Sequence, residues 1–268
     1  MQVTIAITAD RGIPKKLLDQ LAKQTSLPLL TPHTHADFLL HIGQEHLELQ
    51  KITPSKKNKK QKIESIFIDF LAGKTNHRRL HGGGKGQDIA KAIGLHKINN
   101  PNVLDLTAGM GGDAFVLATL GASVTMVERN PIVHALLLDA LSRASLTADP
   151  SLNEIMSRLT LKHQNAMQIL EALTKDSQPD VIYLDPMFPS RSKTAQVKKE
   201  MQFFHDIVGP DTDSEELLLK ALSCAKKRIV VKRPRLAEKL LDNIKPDFEI
   251  IGKSTRYDIY LPKQKIAF

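Results

Sequence analysis

Val103-Leu104-Asp105-Leu106-Thr107-Ala108-Gly109-Met110-Gly111-Gly112-Asp113 is a short apolar run that ends in an acid, turns on three glycines and opens into a helical pattern over Asp113–Leu120. Glycines after a strand let the backbone come close to a ligand, and the helix start offers unpaired N–H groups and the positive end of the helix dipole. Outward from this turn, strand and helix patterns alternate. Further strands are expected at Ser123–Val127, Leu159–Lys162, Val181–Leu184 and Arg228–Val231. Helices are expected at Pro131–Ala144, Ala166–Leu173, Ser214–Ala225 and Ala237–Asn243. This alternation predicts a mostly parallel sheet with helices on both faces. Phe248–Ile251 and Asp258–Leu261, with little between them, predict an antiparallel hairpin at one edge.

The first third reads differently. Strands at Val3–Ile7, Phe38–Ile42, Leu47–Lys51 and Ile66–Phe70, with a helix at Lys15–Gln24, make a small α+β module. Its last two strands flank Thr53–Lys62, whose Lys56, Lys57, Lys59, Lys60 and Lys62 suit a solvated hairpin tip or a basic finger on RNA. A Gly-rich basic loop over Asn76–Lys85 and a helix at Gln87–Ile93 follow. The expected organisation is therefore a small N-terminal α+β domain (1–75), a basic connecting segment with its helix (76–98) and a Rossmann-like α/β domain (99–268).

Composition sets the class. The 41% hydrophobic and 25% charged residues are those of a soluble globular protein, and no apolar stretch approaches the length of a membrane span. Met1–Ile7 has neither the basic start nor the cleavage site of a signal peptide. The single Cys224 excludes an internal disulfide and a Cys-cluster zinc site, so a cytoplasmic place is expected. His33, His35, His41 and His46 match no ligand spacing, so no metal is expected. No heptad or exposed strand pattern points to a partner copy, so a monomer is expected. The net charge of +9 suits a polyanionic partner, because each neutralised phosphate releases counterions.

Glu128 ends the second core strand about twenty residues after the turn, where a carboxylate accepts both hydroxyls of an adenosine ribose. Gly109-x-Gly111-x-x-Ala114 also fits a dinucleotide fingerprint, so a nicotinamide dehydrogenase competes. Against it, Asp105 at the strand end would repel a pyrophosphate and suits instead the cationic ammonium of S-adenosylmethionine. The other argument is Val181-Ile-Tyr-Leu-Asp185-Pro186-Met187-Phe188-Pro189, a buried strand ending in an acid and a proline-rich turn. There Asp185 offers acceptors to an exocyclic amine, Pro186 fixes the turn and Phe188 presents a ring to a base. Together these residues point to methylation of a nucleobase amino group. Several basic residues are candidates for RNA phosphates: His77, Arg78, Arg79 and Lys85 in the Gly-rich loop, Arg191 and Lys193 after the acidic turn, and Lys232 and Arg233 after the fifth strand.

Asp185-Pro-Met-Phe-Pro189 resembles the Asp/Asn-Pro-Pro-Tyr/Phe turn of amino-methyltransferases acting on adenine N6 or guanine N2, with Met187 in place of the second proline. Taken with His77–Gly86, Asp105–Asp113, Val127–Pro131, Val197–Met201, Val208–Asp211, Val230–Pro234 and Tyr257–Tyr260, the chain resembles the ribosomal RNA small-subunit methyltransferase J family. That resemblance implies a class I Rossmann-like fold, S-adenosylmethionine as cofactor, and 16S rRNA or the small ribosomal subunit as partner, with N2-methylguanosine as product. It implies cofactor contacts from Gly112, Asp113, Glu128, Arg129, Asn165, Ala166 and Asp185, beside the Asp105, Gly109 and Gly111 of the turn. An adenine-N6 methyltransferase, and an RNA-binding protein with a vestigial cofactor site, are the alternatives.

Overall fold

Residues 3–53, 62–187, 207–209 and 211–262 are described by a computed structural model of the chain. They divide into two units, one of Met1–Asp69, Asn130–Arg143 and Pro189–Pro210, the other of Phe70–Arg129, Ala144–Phe188 and Asp211–Phe268. The division differs from the expected 1–75, 76–98 and 99–268. The basic segment after residue 75 belongs to the larger unit, and Asn130–Arg143 groups with the smaller one.

The smaller unit carries a four-stranded sheet of β1 (Ile5–Ala9), β2 (Phe38–Ile42), β3 (Leu47–Thr53) and β4 (Lys62–Ile66), in that order. β1 and β2 are parallel, so they need a crossover, and helix α1 (Lys15–Thr25) provides it. The last strand falls at Lys62–Ile66, pairing Leu49 with Ile66, rather than at Ile66–Phe70. Alternate burial continues through Ile68 and Phe70 and imitates a strand, but the Ile68 carbonyl accepts from Arg143 Nη2 at 2.5 Å and leaves the ladder. Lys56, Lys57, Lys59 and Lys60 lie outside the described residues.

In the larger unit, helix α2 (Gly73–His81) and a single 3-10 turn (Gly84–Gly86) replace the expected loop, so His77, Arg78 and Arg79 are helical. Then come α3 (Asp88–Ile93), β5 (Asn102–Asp105), α4 (Gly112–Thr119), β6 (Ser123–Glu128), α5 (Pro131–Ser145, most of it in the smaller unit), α6 (Pro150–Ser157) and β7 (Leu159–His163). The chain continues through α7 (Ala166–Ala172), β8 (Val181–Leu184), α8 (Ser214–Ala221), β9 (Arg228–Pro234), β10 (Phe248–Ile251) and β11 (Thr255–Tyr260). α6 was not anticipated, although its cap is written in the sequence: Asp149 accepts from Ser151 N at 2.9 Å and Pro150 opens the helix. The helix expected at Ala237–Asn243 is absent. Arg256 Nη1 donates to the Arg235 and Ala237 carbonyls, and Arg233 donates to that of Glu238, so these acceptors serve side chains instead of a helix.

The seven-stranded sheet runs β10-β11-β9-β8-β5-β6-β7. β5 to β9 are parallel, and β11 is antiparallel to both β9 and β10, which gives the expected edge hairpin. Leu104, Leu106, Ile182, Leu184, Ile229 and Val231 bury one face against Ile169 and Leu170 of α7 and Leu217 and Leu218 of α8. The alternate residues Asp105, Tyr183 and Lys232 therefore belong to the other face. Registers of Asp105 with Tyr183, Tyr183 with Val230 and Lys232 with Tyr257 bring them side by side. The chain leaves β5 toward β6 and later returns on its other side as β8, and a ligand crevice lies at the carboxyl ends of strands that part in this way. No helix among the described residues is long and apolar enough to cross a membrane.

Candidate active site at the carboxyl ends of β5, β8 and β9

The Gly-rich turn is held from both sides. Leu106 N donates to the Tyr183 carbonyl at 3.0 Å, and Ala108 N to that of Val127 at 3.1 Å. Gly109 and Gly111 have φ of 53° and 71°, left-handed values that a side chain disfavours. Gly109 N donates to Glu128 Oε2 at 3.1 Å, so the acid ending β6 fixes the turn. Asp105 is 2% exposed, and its side chain accepts one described hydrogen bond, from Thr107 N at 3.1 Å. Burial, with Asp113 and Asp185 nearby, pushes its pKa up to about 8 against the opposing pull of the Thr107 N–H and Lys232.

Beside the turn stands a charge cluster. Lys232 Nζ on β9 lies 2.7 Å from Asp113 Oδ2 and 2.7 Å from Asp185 Oδ2. Asp113 Oδ2 also accepts from Tyr183 Oη at 2.7 Å, and its Oδ1 from Arg78 Nη1 at 3.0 Å. Burial raises the Asp113 pKa, but Lys232, Tyr183 and Arg78 outweigh it and hold the group down at about 2. Asp185 moves up, from loss of solvent and the nearby Asp113, while Lys232 pulls it down. Burial lowers the Lys232 pKa, but the two carboxylates more than reverse this and keep it a cation. Thr107 Oγ1 accepts from Asp185 N at 2.6 Å, tying the acidic turn to the Gly-rich one.

The structure brings Asp105, Gly109, Gly111, Gly112, Asp113, Glu128, Asp185 and Lys232 to this one sheet end. It alters several expectations. Asp113 already accepts three hydrogen bonds and acts as a hub that orients Lys232, not as an open ligand acceptor. Lys232 is committed to two carboxylates, and Arg233 is 4% exposed with Nη2 donating to the Glu238 carbonyl at 2.6 Å; neither is placed to hold an RNA phosphate. Arg79 braces α6 through Ser151 Oγ at 3.2 Å and Asp149 at 3.7 Å. Arg129 pairs with Asp211 at 2.5 Å and Asp213 at 2.7 Å, and Asp211 Oδ2 accepts from Met187 N at 2.8 Å. Arg129 thus reaches the site as a brace for the acidic turn. Asn165 caps α7 by accepting from Met167 N at 2.8 Å, and Ala166 begins that helix in the core. Pro186 is buried, Lys85 is exposed, and the His77 and His81 rings stand 5.0 Å apart. Phe188, Arg191 and Lys193 lie outside the described residues. Thr107, Tyr183, Asp211 and Tyr257 were not expected to contribute. Tyr183 was legible, since it sits two residues before Asp185 and so shares its face.

Comparison with known proteins bears on this geometry. The SAM_MT family of SAM-dependent methyltransferases matches residues 20–262. Ribosomal RNA small subunit methyltransferase J of Aeromonas hydrophila is 45% identical over 262 residues, covering 97% of this chain and 98% of its own. The protein of that name from Vibrio vulnificus is 47% identical, covering 91% and 92%. The chain belongs to the ribosomal RNA small subunit methyltransferase J family. A crystal structure of a SAM-dependent methyltransferase from Neisseria gonorrhoeae, 34% identical, matches over 99% of this chain and 98% of that one with a TM-score of 0.71. The expected class I Rossmann-like fold is therefore correct, the chain is a SAM-dependent methyltransferase, and the dehydrogenase reading is set aside. The residues fit that cofactor: Asp105 is a buried carboxyl with no cation bonded to it among the described residues, beside a glycine cradle and a strand-end Glu128.

Proposed function

We propose that the chain methylates the exocyclic N2 of a guanine in small-subunit (16S) rRNA, with Asp185 holding the amine. One observation carries the assignment of Asp185. Its Oδ2 is bound by Lys232 and its backbone by Thr107, while Oδ1 makes no bond among the described residues and the side chain keeps 40% of its exposure. Glu128 would take the ribose hydroxyls of S-adenosylmethionine and Asp105 its positive end, with Gly109, Gly111 and Gly112 lining the approach. When bound, the cofactor supplies an electrophilic methyl group.

The residues of this chain do the rest by placement. The guanine amine is a weak nucleophile, because its lone pair is delocalised into the ring. Asp185 Oδ1 accepts an N–H and aims the remaining lone pair at the methyl carbon. Lys232 opposes the upward push of lost solvent and of Asp113 on the Asp185 pKa, and so favours the ionised form that accepts an N–H. As the N–C bond forms the nitrogen becomes acidic, and its proton passes to Asp185 or to water. The +9 charge supports a polyanionic substrate, and the names of the relatives support small-subunit rRNA. A cytoplasmic place follows from that substrate. Tritium transfer from labelled cofactor to rRNA tests the reading. Asp185→Ala is expected to cost about a hundredfold or more in rate while cofactor binding is retained. Mass spectrometry of rRNA from a deletion strain should show a missing N2-methylguanosine. Loss of an N6-methyladenosine instead would overturn the choice of base.

A further inference from the structure

A second concavity lies beside the charge cluster. It encloses about 370 Å³ and is lined by Arg78 of α2, Gly86–Ile89 at the start of α3, the 252–255 turn joining β10 to β11, and Tyr257. Its polar groups are mostly donors without partners. Lys253 is exposed and makes no hydrogen bond or ion pair among the described residues, and the same holds for the side chains of Gln87, Ser254 and Thr255. Arg78 spends Nη1 on Asp113, and its Nε and Nη2 make no bond among the described residues. The one carboxylate in the lining, Asp88, is already engaged. It accepts from Lys91 Nζ at 3.4 Å, and it packs so closely on Gly252 that a Cβ there would come within 2.8 Å of Oδ2. A cavity of unsatisfied donors, two of them cationic, suits a ligand made of acceptor oxygens with negative charge.

Its position narrows the choice. Thr255 pairs with Pro234 and Tyr257 with Lys232, so the turn stands at the same sheet end as Asp185. Arg78 belongs to both places, lining the cavity while holding Asp113. We propose that this cavity is a subsite for a backbone phosphate flanking the target nucleotide, bound by Lys253 and the free nitrogens of Arg78. The inference rests on the RNA-methylating function proposed above. A cofactor carboxylate has the same anionic oxygen chemistry, so the test must separate the two.

The experiment measures affinity for a 16S rRNA fragment that the wild-type protein methylates, at several salt concentrations, together with cofactor affinity by calorimetry. Lys253→Glu should weaken RNA binding about tenfold near physiological salt, and Lys253→Ala should lower the slope of log affinity against log salt by about one. Lys253→Arg should restore both, and cofactor affinity should stay unchanged in all three. If RNA affinity and slope stay at wild-type values in Lys253→Glu while the wild type methylates the fragment, the subsite is wrong and the methyltransferase function stands. If cofactor affinity falls instead, the cavity holds the cofactor and the proposal is overturned. If the wild-type protein methylates no RNA, the subsite falls with the function it rests on. Lys253 is exposed, so an unchanged melting temperature separates these effects from misfolding.

Discussion

Lys232 and Arg233 are consecutive on β9, and strand alternation sends them into two ion clusters of opposite character. On one side stand Arg233, Arg256, Asp258 and Lys239. Asp258 is fully buried, and Arg256 binds both its oxygens, Nε at 2.7 Å and Nη2 at 3.0 Å. Arg256 Nη1 serves the Arg235 and Ala237 carbonyls, and Lys239 reaches Asp258 at 3.3 Å. On the other side, Lys232 joins Asp113 and Asp185, but among the described residues Asp185 keeps an unbonded oxygen and Asp105 is bonded to no cation. In the first cluster Arg256 has spent its donors on Asp258 and two carbonyls, and Arg233 keeps only a buried Nη1 without a hydrogen bond among the described residues. The second has capacity left over, and buried charge that is left incompletely paired is costly unless a ligand completes it. An open carboxylate oxygen, more than charge or burial, separates the site from the scaffold, where both oxygens of Asp258 are bonded.

Three perturbations test that contrast. The largest effect belongs to the Asp258 cluster. Arg256→Met strands a fully buried Asp258, which should cost about 3–5 kcal/mol of stability in a denaturant titration, while methyl transfer per folded molecule stays at the wild-type value. A loss of transfer without a loss of stability would mean that the two clusters are not separate in role. Next, Lys232→Met should lower kcat about tenfold or more and move the acidic limb of the pH–rate profile upward. The sign follows from Asp185: burial and Asp113 raise its pKa, Lys232 lowers it, and without Lys232 the carboxylate protonates at a higher pH. Lys232→Arg should bring the limb back, whereas a merely structural lysine would leave it in place throughout.

The smallest effect concerns Asp105. Its folded pKa is raised to about 8 by burial, above an unfolded value of about 3.9. Stability from this group is therefore complete in acid and is lost as pH rises from about 4 through about 8. The cofactor-free protein should melt a few degrees lower at pH 9 than at pH 6, and Asp105→Asn should remove about that much of the slope. An unchanged slope in the variant would show that Asp105 is already compensated, and its assignment to the positive end of the cofactor would fail.

Much of this was legible in the chain. The glycines of Asp105–Asp113 announce a tight turn, and Gly109 and Gly111 adopt left-handed φ values that disfavour a side chain; Glu128 and Asp185 mark strand ends because each closes a buried apolar run. Local signals misled where a distant side chain took over the backbone. Ala237–Asn243 has a helical pattern, yet arginines on β9 and β11 claim the carbonyls around it. The basic triplet His77-Arg78-Arg79 beside a run of glycines imitates a loop, although helix α2 extends to His81 and the glycines only end it.

The alternation of elements, the glycine cradle and the acids that flank it can be read along the chain, because these depend on periodicity and on backbone geometry within a few residues. Only the tertiary structure decided what the charges do. Strand register placed Lys232 between Asp113 and Asp185, turned Arg233 away, assigned Arg129 to Asp211, and left Lys253 and part of Arg78 free around a cavity. Pairing a charge is a matter of a few ångströms between residues far apart in the chain, and at that range one step along a strand moves a side chain to the opposite face.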